Sequence, residues 1–371
     1  MSATLYDVAY WISSHLLGAL GGLPASSLPG AWGVGATALA WLITAAVVFA
    51  ASLVNILVLI WWERKLLGRF MDRRGAMHVG FAGLLQNLAD GLKLFRKQVF
   101  SPREADPLGY YLAPTAYLIT SIVLLGFLPV SAGFVAGAVP LSLLLALAIF
   151  SFAPLFIFVG SWSSNNKYSL IGGMRTAAQM VAYEIPLLLS VVSVVILSGS
   201  FDLGTIVQDQ ARDGWYGAPL ILGLIVFSVA ILAEIERIPF DLPEAEAELV
   251  EGWNTEYGGI LFAMTMMTDY IRSLVGSYLV VLLFLGGWTL PTWGGLGILS
   301  SFPLSGILWF QVKTYIVFGV FVWVRAALPR VRTDQLLQIG WRRMLPLSLL
   351  NIAIAAGWVL AGWPHLTWPS V

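Results

Sequence analysis

Apolar residues run along this chain in repeated blocks close to the ~20 residues an α-helix needs to cross a bilayer. Eight blocks stand out, at about 36–62, 111–132, 139–162, 179–199, 217–235, 260–287, 306–327 and 344–363. In lipid the backbone must satisfy its own polar groups, so blocks of this length imply helices. Residues 1–35 are mixed: an apolar stretch is broken by Gly21-Gly22, Pro24 and Pro29, which predicts an interfacial helix and a loop. The expected fold is an all-α polytopic membrane protein with about eight transmembrane helices. Residues 1–371 read as a single membrane domain, with 1–35 interfacial and 36–363 the transmembrane bundle. No Ser/Gly linker, low-complexity tract or internal repeat is legible.

Two polar interruptions stand out. The first loop, residues 63–110, contains a second helix from Gly83 to Lys97. Leu84, Leu85, Leu88, Leu92 and Phe95 recur there at helical spacing, with Asn87, Asp90, Lys93 and Lys97 at more polar positions. This is the pattern of an amphipathic interfacial helix. It serves either as an anchor or as the lip of a cavity that admits an amphiphile from the bilayer. Arg64, Lys65, Arg69, Arg73 and Arg74 precede it and suit a partner or anionic headgroups.

The second interruption is a long acidic loop between the fifth and sixth blocks. Ala233 to Gly259 holds eight carboxylates, Glu234, Glu236, Asp241, Glu244, Glu246, Glu248, Glu251 and Glu256, with Arg237 the single cation among them. Asp241-Leu-Pro-Glu244 has the form of a helix start, with Asp241 as N-cap. Glu244, Glu248 and Glu251 then share one face of that expected helix, and Glu246 points elsewhere. Like charges at this spacing destabilise a helix, so the segment requires cations, water or protons. It reads as a solvated face for a basic partner or as a proton-handling segment.

Composition sharpens the picture. The chain is 58% hydrophobic and 11% charged, where a soluble domain carries about 25% charged residues. Mean hydropathy is +0.84. A net charge of zero leaves no basic footprint for nucleic acid. Cysteine is absent, which excludes disulfides, zinc-thiolate sites and cysteine-ligated iron–sulfur clusters. His15, His78 and His365 are too scattered for a haem or metal site, so no metal is expected. Electrons, where they are involved, belong to partner chains. Eighteen of the twenty Lys and Arg residues fall on the side of the first loop, counting Arg237 and Arg272 there. Arg212 lies on the other side and Lys313 within the seventh block. The positive-inside rule then places both termini on the side opposite the first loop. The start of the chain shows neither the basic region nor the cleavage signal of a secretory peptide.

Two ionisable residues sit within the blocks themselves. Glu184 lies in AYEIPLLLS with Pro186 behind it, and Lys313 lies in FQVKTYIV. Charges at membrane depth are costly and usually functional. Glu184 reads as a proton relay or gate, against a structural hydrogen bond or an Arg pair. Lys313 reads as a relay group, against a static counter-ion. No nucleotide-binding loop or Ser-His-Asp set is legible, and Leu285-Gly-Gly-Trp288 suits close helix packing.

Four motifs in order carry a family resemblance across about residues 50 to 345. They are Glu236-Arg-Ile-Pro-Phe-Asp241-Leu-Pro-Glu244-Ala-Glu246-Ala-Glu248-Leu-Val-Glu-Gly252 with Thr255-Glu256-Tyr257; Gly83-Leu-Leu-Gln86 through Asp90-Gly-Leu-Lys93; Ser164-Asn-Asn-Lys167 with Arg175 and Tyr183-Glu184; and Pro329-Arg330-Val-Arg332-Thr-Asp334-Gln335-Leu336. Together they resemble the H subunit (chain 1) of proton-translocating NADH:quinone oxidoreductase, respiratory complex I. The resemblance implies a cell-membrane subunit that joins the membrane arm to the redox arm and walls much of the quinone cavity. It implies quinone as substrate and no cofactor on this chain, with iron–sulfur clusters and flavin or other donor chemistry on hydrophilic partners. Antiporter-like membrane subunits are the other implied partners, beside the lipid bilayer. It assigns Arg64, Arg73, Asp90, Lys93 and Arg237 to the quinone cavity. It assigns Glu236, Asp241, Glu244, Glu246, Glu248 and Glu256 to the acidic coupling loop, and Glu184 and Glu234 to the membrane-depth carboxylates.

Two departures from that pattern are visible. Relatives commonly carry Gly-Pro pairs in the first loop, where this chain reads Arg73-Arg74-Gly75-Ala76-Met77-His78-Val79-Gly80-Phe81, and a usual nearby Gln is Met71. Some relatives have a carboxylate in the third span, where residues 139–162 have none and Ser151 stands near the place. The competing readings are the equivalent subunit of a ferredoxin-linked, hydrogenase-type complex, a free-standing ion transporter without a redox role, and a passive scaffold.

Overall fold

The computed structural model describes residues 6–7, 9–10, 13–14, 30–132, 135, 139–241, 246–289 and 305–362. The expected interfacial segment 1–35 therefore lies largely outside the described residues. The first helix, α1, runs Gly30–Phe70 and continues well past the apolar block into the basic residues. The amphipathic helix α2, Gln86–Arg96, follows a single 3-10 turn. Helix α3, Pro107–Phe127, starts where the Asp106 side chain accepts the Leu108 N–H at 3.2 Å. Proline at the first helical position costs nothing there, because its missing N–H has no intrahelical partner.

The third block does not form one smooth helix. It divides into α4, Ser142–Phe150, and α5, Ala153–Ser163. The reason is Pro154: it has no N–H for the Phe150 carbonyl four residues earlier, and its ring crowds that carbonyl. The fourth block is longer than expected. Helix α6 spans Lys167–Ser198, capped by Asn166 at its start and by Gly199 at φ 67° at its end. A short amphipathic helix α7, Leu203–Asp213, begins at the Asp202 N-cap.

Helix α8, Ile221–Glu234, is the fifth block. Its fourteen residues reach about 21 Å, short of the ~30 Å hydrocarbon core. Between α8 and α10 the described residues of the acidic segment form α9, Glu246–Leu249, and a 3-10 turn, Gly252–Asn254. The expected face shared by Glu244, Glu248 and Glu251 is not formed, because Val250 takes φ 66° and turns the chain before Glu251. Glu244 itself lies outside the described residues, as does the side chain of Glu246.

Helix α10 runs Gly259–Phe284 and α11 runs Ser305–Ala327. The last span begins earlier than the apolar block, with α12, Thr333–Gln338, a π-helical turn Ile339–Met344, and α13, Leu345–Leu360, forming one continuous run. Seven helices among the described residues are long and apolar enough to cross a membrane, and α8 is a shorter apolar eighth. The polytopic membrane-protein reading is thus met, while the count of eight is not, because α8 falls below spanning length.

Helix α10 is the axis of the bundle. Every residue from Ile271 to Phe284 is buried, as expected of a helix that is apolar all round. Helix α6 packs against α5, α8 and α13, and α10 packs against α3 and α11. The acidic segment docks on α6 by close backbone approach. A Cβ at Gly172 would meet Trp253 N at 2.7 Å and Gly252 Cα at 2.8 Å. Ser169 Oγ donates to the Trp253 carbonyl at 3.2 Å, and Trp253 is 1% exposed. We expect Gly172→Ala to cost about 1–3 kcal/mol through this clash. Thermal unfolding of the purified complex should show a lower midpoint for that variant, and no drop for Gly357→Ala, where a Cβ meets open space.

Candidate functional site

A set of charged side chains gathers where α8 stops short. Gln179 on α6 donates its side-chain amide to the Ala233 carbonyl at 2.7 Å and to the Phe240 carbonyl at 2.9 Å. It thereby holds both ends of the polar turn from Ile235 to Phe240. Glu236 sits in that turn at φ 52°, a left-handed conformation that costs a non-glycine residue about 1–2 kcal/mol. Burial pushes the Glu236 carboxyl up. The Thr176 hydroxyl and Arg272 oppose the shift, and Asp269 and Asp241 add to it.

Arg272 on α10 is buried and links three elements. Its Nη1 donates to the Phe150 carbonyl at 3.0 Å, the acceptor that Pro154 leaves without a helical donor. Its Nη2 lies 3.4 Å from both the carbonyl and Oε2 of Glu234. At that length charge attraction contributes more than hydrogen bonding. The guanidinium also lies 4.0 Å from the centre of the Phe150 ring. One turn earlier, Asp269 accepts a hydrogen bond from Tyr117 OH at 3.2 Å, with Arg237 and Arg272 both acting on its charge.

A second node lies at the foot of α1. Glu63, 3% exposed, accepts from Arg237 Nη1 at 3.3 Å and also from Arg325 Nη1. Arg237 rests 4.5 Å from the centre of the Tyr270 ring. Asp241 pairs with Arg330 at 3.2 Å; burial pushes its carboxyl up, and Arg330, Arg325 and Arg237 pull it back without cancelling the shift.

At the inner end, Glu184 on α6 is half-buried and accepts the hydroxyl of Ser151, which stands at the break between α4 and α5. Ser151 Oγ is also 3.0 Å from the Leu147 carbonyl. A hydroxyl has one proton and two lone pairs. It can donate to a charged Glu184, or accept from a protonated one while donating to Leu147. Both protonation states of Glu184 are satisfied without moving a heavy atom.

The profile of the NADH dehydrogenase family matches residues 43–356. The chain belongs to that family. It is 41% identical to the NADH-quinone oxidoreductase H subunit of Dehalococcoides mccartyi over 84% of this chain and 84% of that one. It is 40% identical to the H subunit of Rhodospirillum rubrum, over 80% and 87% of the two chains. It is 42% identical to that of Geobacillus kaustophilus, over 81% and 88%.

The residues that the family resemblance singles out fall into three places. Arg64 bonds Asp90 at 2.8 Å, and Lys93 lies 4.0 Å from the same carboxylate. Partial burial pushes the Asp90 carboxyl up, but hydrogen bonds from Arg64 and Gln86 and the charges of Arg64 and Lys93 outweigh it, and the net shift is downward. Arg73 is exposed, 3.6 Å from the Met71 sulfur. With no proline between Met71 and Gly83, the loop is held by backbone contact. A Cβ at Gly75 would meet the Arg64 carbonyl at 2.7 Å, and Lys65 Nζ donates to the Ala76 carbonyl at 2.6 Å.

Glu234, Glu236 and Arg237 join the buried set already described. Glu248 and Glu256 do not. Glu248 pairs at the surface with Arg175 at 2.8 Å, and Glu256 accepts from Asn166. Lys313 also stands apart. Its Nζ donates to the carbonyls of Leu285, Gly287 and Thr289 at 2.7, 3.0 and 2.8 Å. It caps the far end of α10, about 20 Å along the helix from Arg272.

Sequence reasoning passed over Glu63, Tyr117, Asp269 and Arg325, and it counted Arg272 with the loop cations. Arg272 instead lies deep in α10 and is 2% exposed, so it is no evidence for sidedness. The signal was present for Asp269 and Arg272, as an acid and a base three residues apart within an apolar block. Glu63 gave less, because it stands in a run of cations at the end of the first block.

Two measurements check this arrangement. Glu63→Gln removes the carboxylate that Arg237 and Arg325 pair with directly, and breaking a buried pair costs about 3 kcal/mol. Glu248→Gln breaks an exposed pair and should cost at most about 1 kcal/mol. Thermal unfolding of the two variants should rank them in that order. Glu236 holds its proton more tightly folded than unfolded, so its contribution to stability is present at low pH and lost as pH rises through the folded value. The midpoint should fall with rising pH above the ordinary carboxylate value of 4.5, and Glu236→Gln should flatten that slope.

Proposed function

We propose that this chain is the membrane subunit of a proton-pumping NADH-quinone oxidoreductase, forming much of the quinone cavity and relaying quinone reduction to proton translocation. The observation that carries the reading is the line of buried charge from Glu63 and Arg237, beside the first loop, through Asp269, Arg272 and Glu234 to Glu184.

The entrance is α2. Its Asn87 donates to the Leu57 carbonyl at 2.8 Å and its Asp90 holds Arg64, so its polar side faces α1. Leu84, Leu85, Leu88, Leu92 and Phe95 are left exposed. An apolar row of this kind on an interfacial helix suits contact with lipid and passage of an isoprenoid quinone. Arg64, Arg73, Asp90, Lys93 and Arg237 line the route inward. Quinone accepts two electrons and two protons to become quinol. The electrons come from an iron–sulfur cluster on a hydrophilic partner, whose own donor site holds flavin or equivalent chemistry. Charge changes at the quinone are felt by Glu236 and Asp241, and by Glu244, Glu246, Glu248 and Glu256 along the docked loop.

Glu234 and Glu184 then pass the change toward antiporter-like membrane subunits. Lys313 stands apart from this line, at the far end of α10. The hydrophilic partners bind on the side of the first and acidic loops, both termini lie opposite, and the complex resides in the cell membrane. Glu184→Gln should abolish proton translocation in reconstituted vesicles while the complex still assembles. Normal translocation by that variant would remove Glu184 from the path.

A further inference from the structure

We propose that Arg272 is a positioning residue that ties the charge on Glu234 to the bond between Ser151 and Glu184, acting through the break in the third span. The inference rests on the proposed relay and adds to it the part that joins two of its carboxylates.

The guanidinium makes two kinds of contact at once. One nitrogen supplies the hydrogen bond that the Phe150 carbonyl lacks, and the other faces the Glu234 carboxylate. Phe150 is the last residue of α4, and its ring lies under the same guanidinium. Ser151, the next residue, holds Glu184. The path from Glu234 to Glu184 thus runs through the Arg272 side chain, the Phe150–Ser151 peptide unit and the Ser151 hydroxyl.

Protonating Glu234 removes its pull on Arg272. The groups that still face Arg272 are Asp269 on its own helix, Glu236 from the turn and Tyr117 from α3, while Glu184 on α6 faces Glu234. The guanidinium follows the remaining charge, and the Phe150 carbonyl follows the guanidinium. Ser151 Oγ already lies within reach of two acceptors, so a small displacement of the break decides which one receives its proton. An intact helix would resist that displacement, because the N–H at position 154 would hold the carbonyl. The proline leaves it to Arg272.

A lysine keeps the charge but lacks the planar fork that reaches carbonyl and carboxylate together. In reconstituted vesicles, Arg272→Lys is expected to slow proton translocation about tenfold, the equivalent of one hydrogen bond to a charged group. It should also move the pH profile of quinone reduction. Ser151→Ala should move the profile the same way, and the double variant should be no worse than either alone, because the two act on one step. Losses that multiply in the double variant, or an unmoved profile in Arg272→Lys, overturn the proposal. If Arg272→Lys does not assemble, Pro154→Ala replaces it in the same cycle with Ser151→Ala, since it returns a helical donor to Phe150 and takes the carbonyl from Arg272. Normal pumping by Glu184→Gln would sink the relay itself. Multiplying losses with Glu184→Gln inactive would sink only the role of Arg272.

Discussion

The cost of taking a carboxylate out of water governs this structure. An isolated charge in hydrocarbon is worth several kcal/mol or more against folding, and a partner must offset it. Glu63 has two guanidiniums, and Glu234 has Arg272. The buried and half-buried set, Glu63, Glu184, Glu234, Glu236 and Asp269, still outnumbers Arg237, Arg272 and Arg325. Guanidiniums alone do not balance it. Protons on one or more of these carboxyls would close the difference, which is what a proton-transferring assembly requires of its interior.

The same constraint explains irregularities that look like defects one at a time. Helix α8 ends at Glu234, where that carboxylate and the turn after it meet Arg272 on α10. The third span breaks at Pro154, and the carbonyl it frees is the acceptor that Arg272 needs. Lys313 finds no carboxylate but three carbonyls at the end of α10, where the negative end of a helix favours a cation. Each of these irregularities lies beside a charge and supplies it with a partner.

Much of this was legible in order but not in depth. Hydropathy found the spans, the amphipathic helix and the acidic segment, because each is a property of neighbouring residues. The four motifs found the family. The partners of the charged groups were not legible, since Glu63 and Arg325 are separated by 262 positions along the chain and meet only in the fold. The acidic run also misled. Equal charge and helical spacing suggested one cooperating face, but the segment divides into a buried turn at Glu236, a surface pair at Glu248 and a docked end at Glu256. Val250 and the contact of Gly172 with Trp253 impose that division, and neither has a strong local signature.

The abbreviated α8 has an electrical consequence. Where apolar helix gives way to a polar turn, the insulating layer is locally thinner. The membrane voltage then falls over a shorter distance beside Glu234 than it does along a full-length span. Moving one elementary charge through the whole potential is worth about 2.3 kcal/mol per 100 mV. A proton displaced at this site would sample a larger share of that energy per ångström than one moved beside a full-length span.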